Sequence, residues 1–163
     1  MKSSLLTLIL LTLSSITLAN SNQLETYKQA ATKLYQQLEE QNPVSLESHA
    51  KQLVDLSKDI VKSSLKALPQ CEAYFSALLK AADTIATLPL DEIERGYHAD
   101  GKLPALTDGT CYHTKDLLVH PATVQAMARI GINSKKDWES AEHEIEEVLE
   151  HLSLVGAVMA NHK

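Results

Sequence analysis

Aromatic residues are few in this 163-residue chain, 4% of the total, with one Phe and one Trp beside five Tyr. That leaves little to pack around a porphyrin. Glycine and proline are also scarce, five of each. Only Gly156 falls within an apolar helical stripe, and no segment alternates with period two for long enough to argue a strand. A sheet-based fold is therefore excluded. Basic charge is short as well: 15 Lys and Arg stand against 21 Asp and Glu, a formal net charge of -6. Without a basic stripe, nucleic acid and anionic lipid are poor partners. No C-x-x-C-H occurs, which excludes covalent c-type haem attachment. No G-x-S-x-G, Gly-rich phosphate loop or nucleophile with an assignable base can be read off either.

What is present begins with MKSSLLTLILLTLSSITLA. One positive charge at Lys2 precedes an apolar centre from Leu5 to Leu13, and Thr17-Leu18-Ala19 supplies small residues at the end. This is the pattern of a secretory signal peptide over residues 1–19, cleaved after Ala19. The uninterrupted apolar run is far shorter than the roughly 20 residues of a bilayer span. The reading is therefore export to the periplasm or the outside, without stable membrane insertion. No lipobox cysteine follows. Residues 20–163 suit one domain.

Two cysteines remain, Cys71 and Cys111. In an oxidising compartment an even pair forms a disulfide. The competing reading makes Cys111 a thiolate ligand beside His113.

Four long amphipathic patterns follow the signal. The first places Leu24, Tyr27, Ala31, Leu34 and Leu38 at alternating spacings of three and four, and ends at Asn42-Pro43. The second runs from Leu46 to Leu68 and carries His49 on its seam, where a satisfied core histidine is expected. The third starts at Pro69 or Gln70 and leaves helix at Leu88-Pro89. The fourth is capped by Ser134 with Asp137 three residues on. Its stripe is Trp138, Ala141, Ile145, Val148, Leu149, Leu152, Val155 and Met159. On that helix His143, Glu147 and His151 recur every four residues away from the stripe, which reads as a solvated face. The expected architecture is all-α: a four-helix bundle with a long, partly helical connection, residues 88–133, between the third and fourth long helices.

That connection is the exception that draws attention. It holds His98, His113 and His120 together with Asp100 and Asp116, in short helices broken at Pro121. A connection this long in a compact domain is usually functional. If residues 110–119 are helical, His113, Asp116 and His120 share one face. Imidazoles and a carboxylate converging on a point suit zinc, copper or nickel. The first reading is thus a metal ion held by His98, His113 and His120, with Asp100 or Asp116 as oxygen ligand or orienter. Non-covalent haem is a variant of it, with Met127 and Met159 the methionines left after processing. A carboxylate-bridged di-iron site is rejected, because the first three helices lack Glu-x-x-His.

Other readings stand beside it. His120 can be merely the boundary residue before a helix that begins with proline. The whole chain can be a ligand-free scaffold that docks another exported protein through apolar residues around Tyr97, Leu103 and Tyr112, and a homodimer through a spare helix face fits a bundle of this size. An enzyme using the same histidines for acid–base work is the third reading. No spacing here reaches the specificity of a zinc-finger or H-E-x-x-H pattern.

Overall fold

The computed structural model of the chain describes the backbone of residues 10–106 and 108–161, with side chains described from residue 22 to residue 160 apart from 107. Its elements are α1 (Leu10–Glu39), α2 (Leu46–Ala67), a 3-10 turn at Pro69–Cys71, α3 (Glu72–Ile85), α4 (Leu90–Ile93), a wide π-helical turn at Glu94–His98, α5 (Thr110–Ile130) and α6 (Lys135–Asn161). The described residues contain no strand. Of the expected signal peptide, residues 1–9 lie outside the described residues and 10–19 are helical, continuous with α1. No helix among the described residues is long and apolar enough to cross a membrane.

The molecule is a helical bundle in which α1 packs on α2 and α6, while α5 packs on the other sides of α2 and α6. The shorter α3 covers α2 and α5 from outside. This corrects the expected arrangement at one point. The third long rod is not α3 but α5, which the sequence pattern places inside a connection. The reason is burial. Every residue from Thr114 to Val124 is buried, so α5 has no polar stripe to contrast with an apolar one, and a helix covered on all sides shows no amphipathic period. Two apolar clusters meet on it: Leu118, Val119, Ala122 and Ala126 pack toward α3 and α2, and Leu117, Val124 and Met127 pack toward α1 and α6.

The break expected at Pro121 does not occur either; α5 runs straight through it. Proline at that position leaves the carbonyl of Leu117 without its helical N–H. The Tyr27 hydroxyl, on α1, donates to that carbonyl in its place. Burial pushes the Tyr27 phenol well above its ordinary pKa, so it stays a proton donor. Tyr27→Phe should therefore cost about 1–3 kcal/mol, the penalty of a buried acceptor left unpaired. Urea unfolding measures this directly. A loss of only a few tenths would mean that another donor satisfies Leu117.

Two local devices position the remaining pieces. Ser134 and Asp137 cap α6 reciprocally, Asp137 N–H to Ser134 Oγ at 3.2 Å and Ser134 N–H to Asp137 Oδ2 at 2.9 Å; the Ser134 hydroxyl, then the N–H groups of Asn133 and Ser134, hold the Asp137 carboxyl below its usual range. Cys71 and Cys111 are joined as a disulfide, which ties the turn before α3 to the first turn of α5 and excludes Cys111 as a thiolate ligand.

Candidate metal centre

Polar side chains gather where α5 faces α6. Asp116 and His120 lie one turn apart on α5, and both are buried. Opposite them α6 brings Glu144, Glu147 and His151, also at one-turn spacings. The turn after α4 adds His98 and Asp100. Asp100 sits in the left-handed region, φ 60°. Gly101 follows because a Cβ there would collide with the carbonyl oxygen of Arg95.

Three of the residues singled out in the connection, His98, His113 and His120, do come into one cluster, but not around one point. The His98 ring stands 4.8 Å from that of His120, centroid to centroid. His113 lies on the far side, 5.0 Å from His151, which stacks on His120 at 5.7 Å. Asp100 is held away from the imidazoles: it accepts from the Tyr74 hydroxyl at 2.6 Å and from the Lys115 ammonium at 3.3 Å. Lys115 is itself fully buried, 3.1 Å from Asp116 Oδ1, donating to the His98 carbonyl at 3.0 Å and lying over the Tyr112 ring.

Two triplets bring ligand-type atoms close enough to share an ion: Asp116, His120 and His151, and separately His98, His120 and Glu144. Proton bookkeeping separates them. Thr123 Oγ1 already donates to the Val119 carbonyl at 3.0 Å, so its 2.9 Å contact with His98 Nε2 makes His98 the donor. His120 Nδ1 lies 2.7 Å from Glu144 Oε2, and a carboxylate can only accept. The second triplet has spent its protons on hydrogen bonds.

The first triplet has not. A neutral His120 with its proton on Nδ1 keeps the Nε2 lone pair free. His151 Nδ1 is 2.8 Å from His113 Nδ1; with the shared proton on His151 Nδ1, the neutral His151 ring keeps an Nε2 lone pair facing Asp116. His151 Nε2 is 3.3 Å from Asp116 Oδ2, and His120 Nε2 is 3.9 Å from Asp116 Oδ1 and 3.3 Å from Glu147 Oε2. Yet neither Asp116 oxygen nor His120 Nε2 has a partner in hydrogen-bond geometry, although all three are buried. Donor atoms at contact distance that do not point at one another are what converging lone pairs look like. With metal–ligand bonds of about 2.0–2.2 Å, the edges of a tetrahedral site come to roughly 3.3 Å. The His151–Asp116 and His120–Glu147 spacings, 3.3 Å each, match such an edge, while His120 Nε2 to Asp116 Oδ1 is longer at 3.9 Å.

No family model, curated protein or solved structure matches this chain.

The electrostatics favour neutral rings at His98 and His151 and the protonated form at His120. Burial holds His98 and His151 below the ordinary imidazole range, against the pull of Glu144 on the first and Asp116 on the second. Both are therefore neutral near pH 7. Burial opposes charge on His120 too, but its bond to Glu144 and the carboxylates of Asp116 and Glu147 outweigh it and raise its pKa. Tyr112, on the rim, is pushed up to about 12 by burial and by the Asp116 charge. The pocket is thus rich in carboxylates, with Lys115 the one permanent cation in contact with Asp116 among the described residues.

His151, Glu144 and Glu147 are the residues that the sequence pattern leaves out. The solvated face expected for His143, Glu147 and His151 is true of His143 alone; His151 is mostly buried against α5. A signal did exist. Asp116 and His120 repeat by four on α5, as Glu147 and His151 do on α6, and two such rows can face each other across a helix pair. His49, by contrast, is the satisfied histidine expected, 2.6 Å from Gln37 Oε1.

Proposed function

We propose that this is an exported helical-bundle protein that binds one transition-metal ion through Asp116 Oδ2, His120 Nε2 and His151 Nε2, with Glu147 Oε2 closing the fourth corner. The observation that carries the reading is a pair of buried atoms without a hydrogen bond, Asp116 Oδ2 and His120 Nε2, which lie 3.3 Å from His151 Nε2 and from Glu147 Oε2 respectively. Two nitrogens and two oxygens in a tetrahedron suit zinc, with copper and nickel as competitors. Glu144 and His113 serve as the outer partners that fix which ring nitrogen is free. His98 and Asp100 stand one contact further out.

A resident ion fits better than haem. The imidazole rings pack on one another at 4.8–5.7 Å between centroids, and no flat slot separates them. Of the residues the scaffold reading names, Tyr97 is buried, Leu103 packs on the core and Tyr112 is exposed, as are Leu90 and Leu106 in the same connection. Export is supported by the Lys2–Ala19 pattern and by the Cys71–Cys111 disulfide.

The test is zinc titration of tag-free, metal-stripped protein against a chromophoric chelator. One equivalent is expected to bind. Glu144→Gln should weaken it by about 10–100-fold, the usual cost of losing an outer partner. His151→Ala should weaken it more than that. Failure of the unaltered protein to bind zinc, copper or nickel stoichiometrically would overturn the proposal.

A further inference from the structure

The row His143, Glu147, His151 does more than supply ligands. It sets one donor on each successive turn of α6, and exposure falls along it. The side chains are 68% exposed at His143, 39% at Glu147 and 15% at His151, while Asp116 beyond them is 1% exposed. Glu147 faces both ways. Its Oε1 lies 3.4 Å from His143 Nε2, and its Oε2 lies 3.3 Å from His120 Nε2. His143 also has Glu146 Oε2 3.4 Å from its other nitrogen, which makes the outer end of the row negative as well as imidazole-bearing.

We propose that this row is the path by which the ion enters and leaves. His143 and Glu147 capture a hydrated divalent cation at the surface, and Glu147 hands it to Asp116, His120 and His151. The proposal rests on the metal reading above. Its physical basis is the cost of stripping water from an ion before it reaches a buried site, which is many kcal/mol if done in one step. Donors spaced 3–4 Å apart replace the waters one at a time, so the ion is never bare. The other wall of the cluster offers no such series. His98 and Glu144 are engaged with Thr123 and His120, and His113 with His151.

The experiment follows cobalt(II) uptake by the metal-stripped full chain in a stopped-flow instrument, using the visible band that distinguishes aqueous from protein-bound cobalt. Release is then followed into excess EDTA. His143→Ala should slow uptake and release together by about tenfold, the effect of one lost contact in the rate-limiting step, while the equilibrium affinity stays the same. Glu47→Gln, which removes an exposed charge from α2, should change neither rate. Unchanged rates in His143→Ala, with normal binding in the unaltered chain, would overturn the path and leave the metal reading intact. Equal slowing in Glu47→Gln would reduce the effect to general attraction and overturn it too. A His143→Ala protein that binds more weakly without slower release would make His143 a ligand of the bound state, again against the path. No cobalt bound by the unaltered chain would remove the metal reading and the path with it.

Discussion

Replacing Lys115 with methionine is expected to lower the stability of the metal-stripped protein by about 3–5 kcal/mol, the cost of removing one partner from a buried charge network. The Lys115 ammonium is fully buried between Asp116 at 3.1 Å and Asp100 at 3.3 Å. Methionine fills nearly the same volume, so the loss reads charge rather than packing. The same variant should gain more from zinc than the unaltered chain does. Removing a positive neighbour makes the site more attractive to a cation, and an ion that binds only the folded state stabilises it in proportion to its affinity. Urea unfolding with and without zinc measures both effects. A variant as stable as the parent would mean that Asp116 does not depend on Lys115 for its charge balance. A zinc-dependent gain no larger than the parent's would take Asp116 out of the ligand set.

Two opposite kinds of pattern explain why parts of this molecule are readable from sequence and others are not. The stripes of α1, α2 and α6 are legible because each helix has one face in the core and one in water: Tyr27, Ala31, Leu34 and Leu38 are buried while Lys28 and Lys33 between them are exposed. The same logic fails for α5, whose surroundings are protein on every side. Its continuity through Pro121 depends on Tyr27, which lies 90 residues earlier in the chain. No local rule about proline contains that information.

The site divides along the same line. That residues 88–133 contribute to a buried polar cluster follows from the crowding of His98, His113, His120, Asp100 and Asp116. Which of them face one another does not, because half of the site is on α6. Glu144, Glu147 and His151 look like ordinary polar positions when α6 is judged by its apolar stripe alone. That helix in fact has two buried edges. Ile145 and Leu152 face the apolar core, and His151 faces the polar pocket on α5. A polar residue buried against another polar residue leaves no hydropathy signal, so only the three-dimensional contact identifies it. The roles of Asp100 and His98 change for a related reason: their partners, Tyr74, Lys115 and Thr123, come from other elements.

Changing both Cys71 and Cys111 to alanine is expected to cost roughly 4 kcal/mol, the loop-closure contribution of a bridge across a 40-residue separation. Alanine is the cleaner replacement, since both positions are fully buried and serine would add unpaired hydroxyls. The loss should appear as a lower urea midpoint that no longer responds to reductant, whereas the parent's midpoint falls when the bridge is reduced. Zinc affinity should change much less than stability. The bridge anchors the first turn of α5, but Asp116 and His120 lie further along it, where α2 and α6 grip the helix and Tyr27 completes its hydrogen bonding at Leu117. The expected result is a protein that unfolds more easily yet, while folded, still presents its donors in register. A parallel collapse of affinity would show that α5 needs the covalent tie to hold Asp116 opposite His151, and that packing against α2 and α6 is not enough to align the two helices.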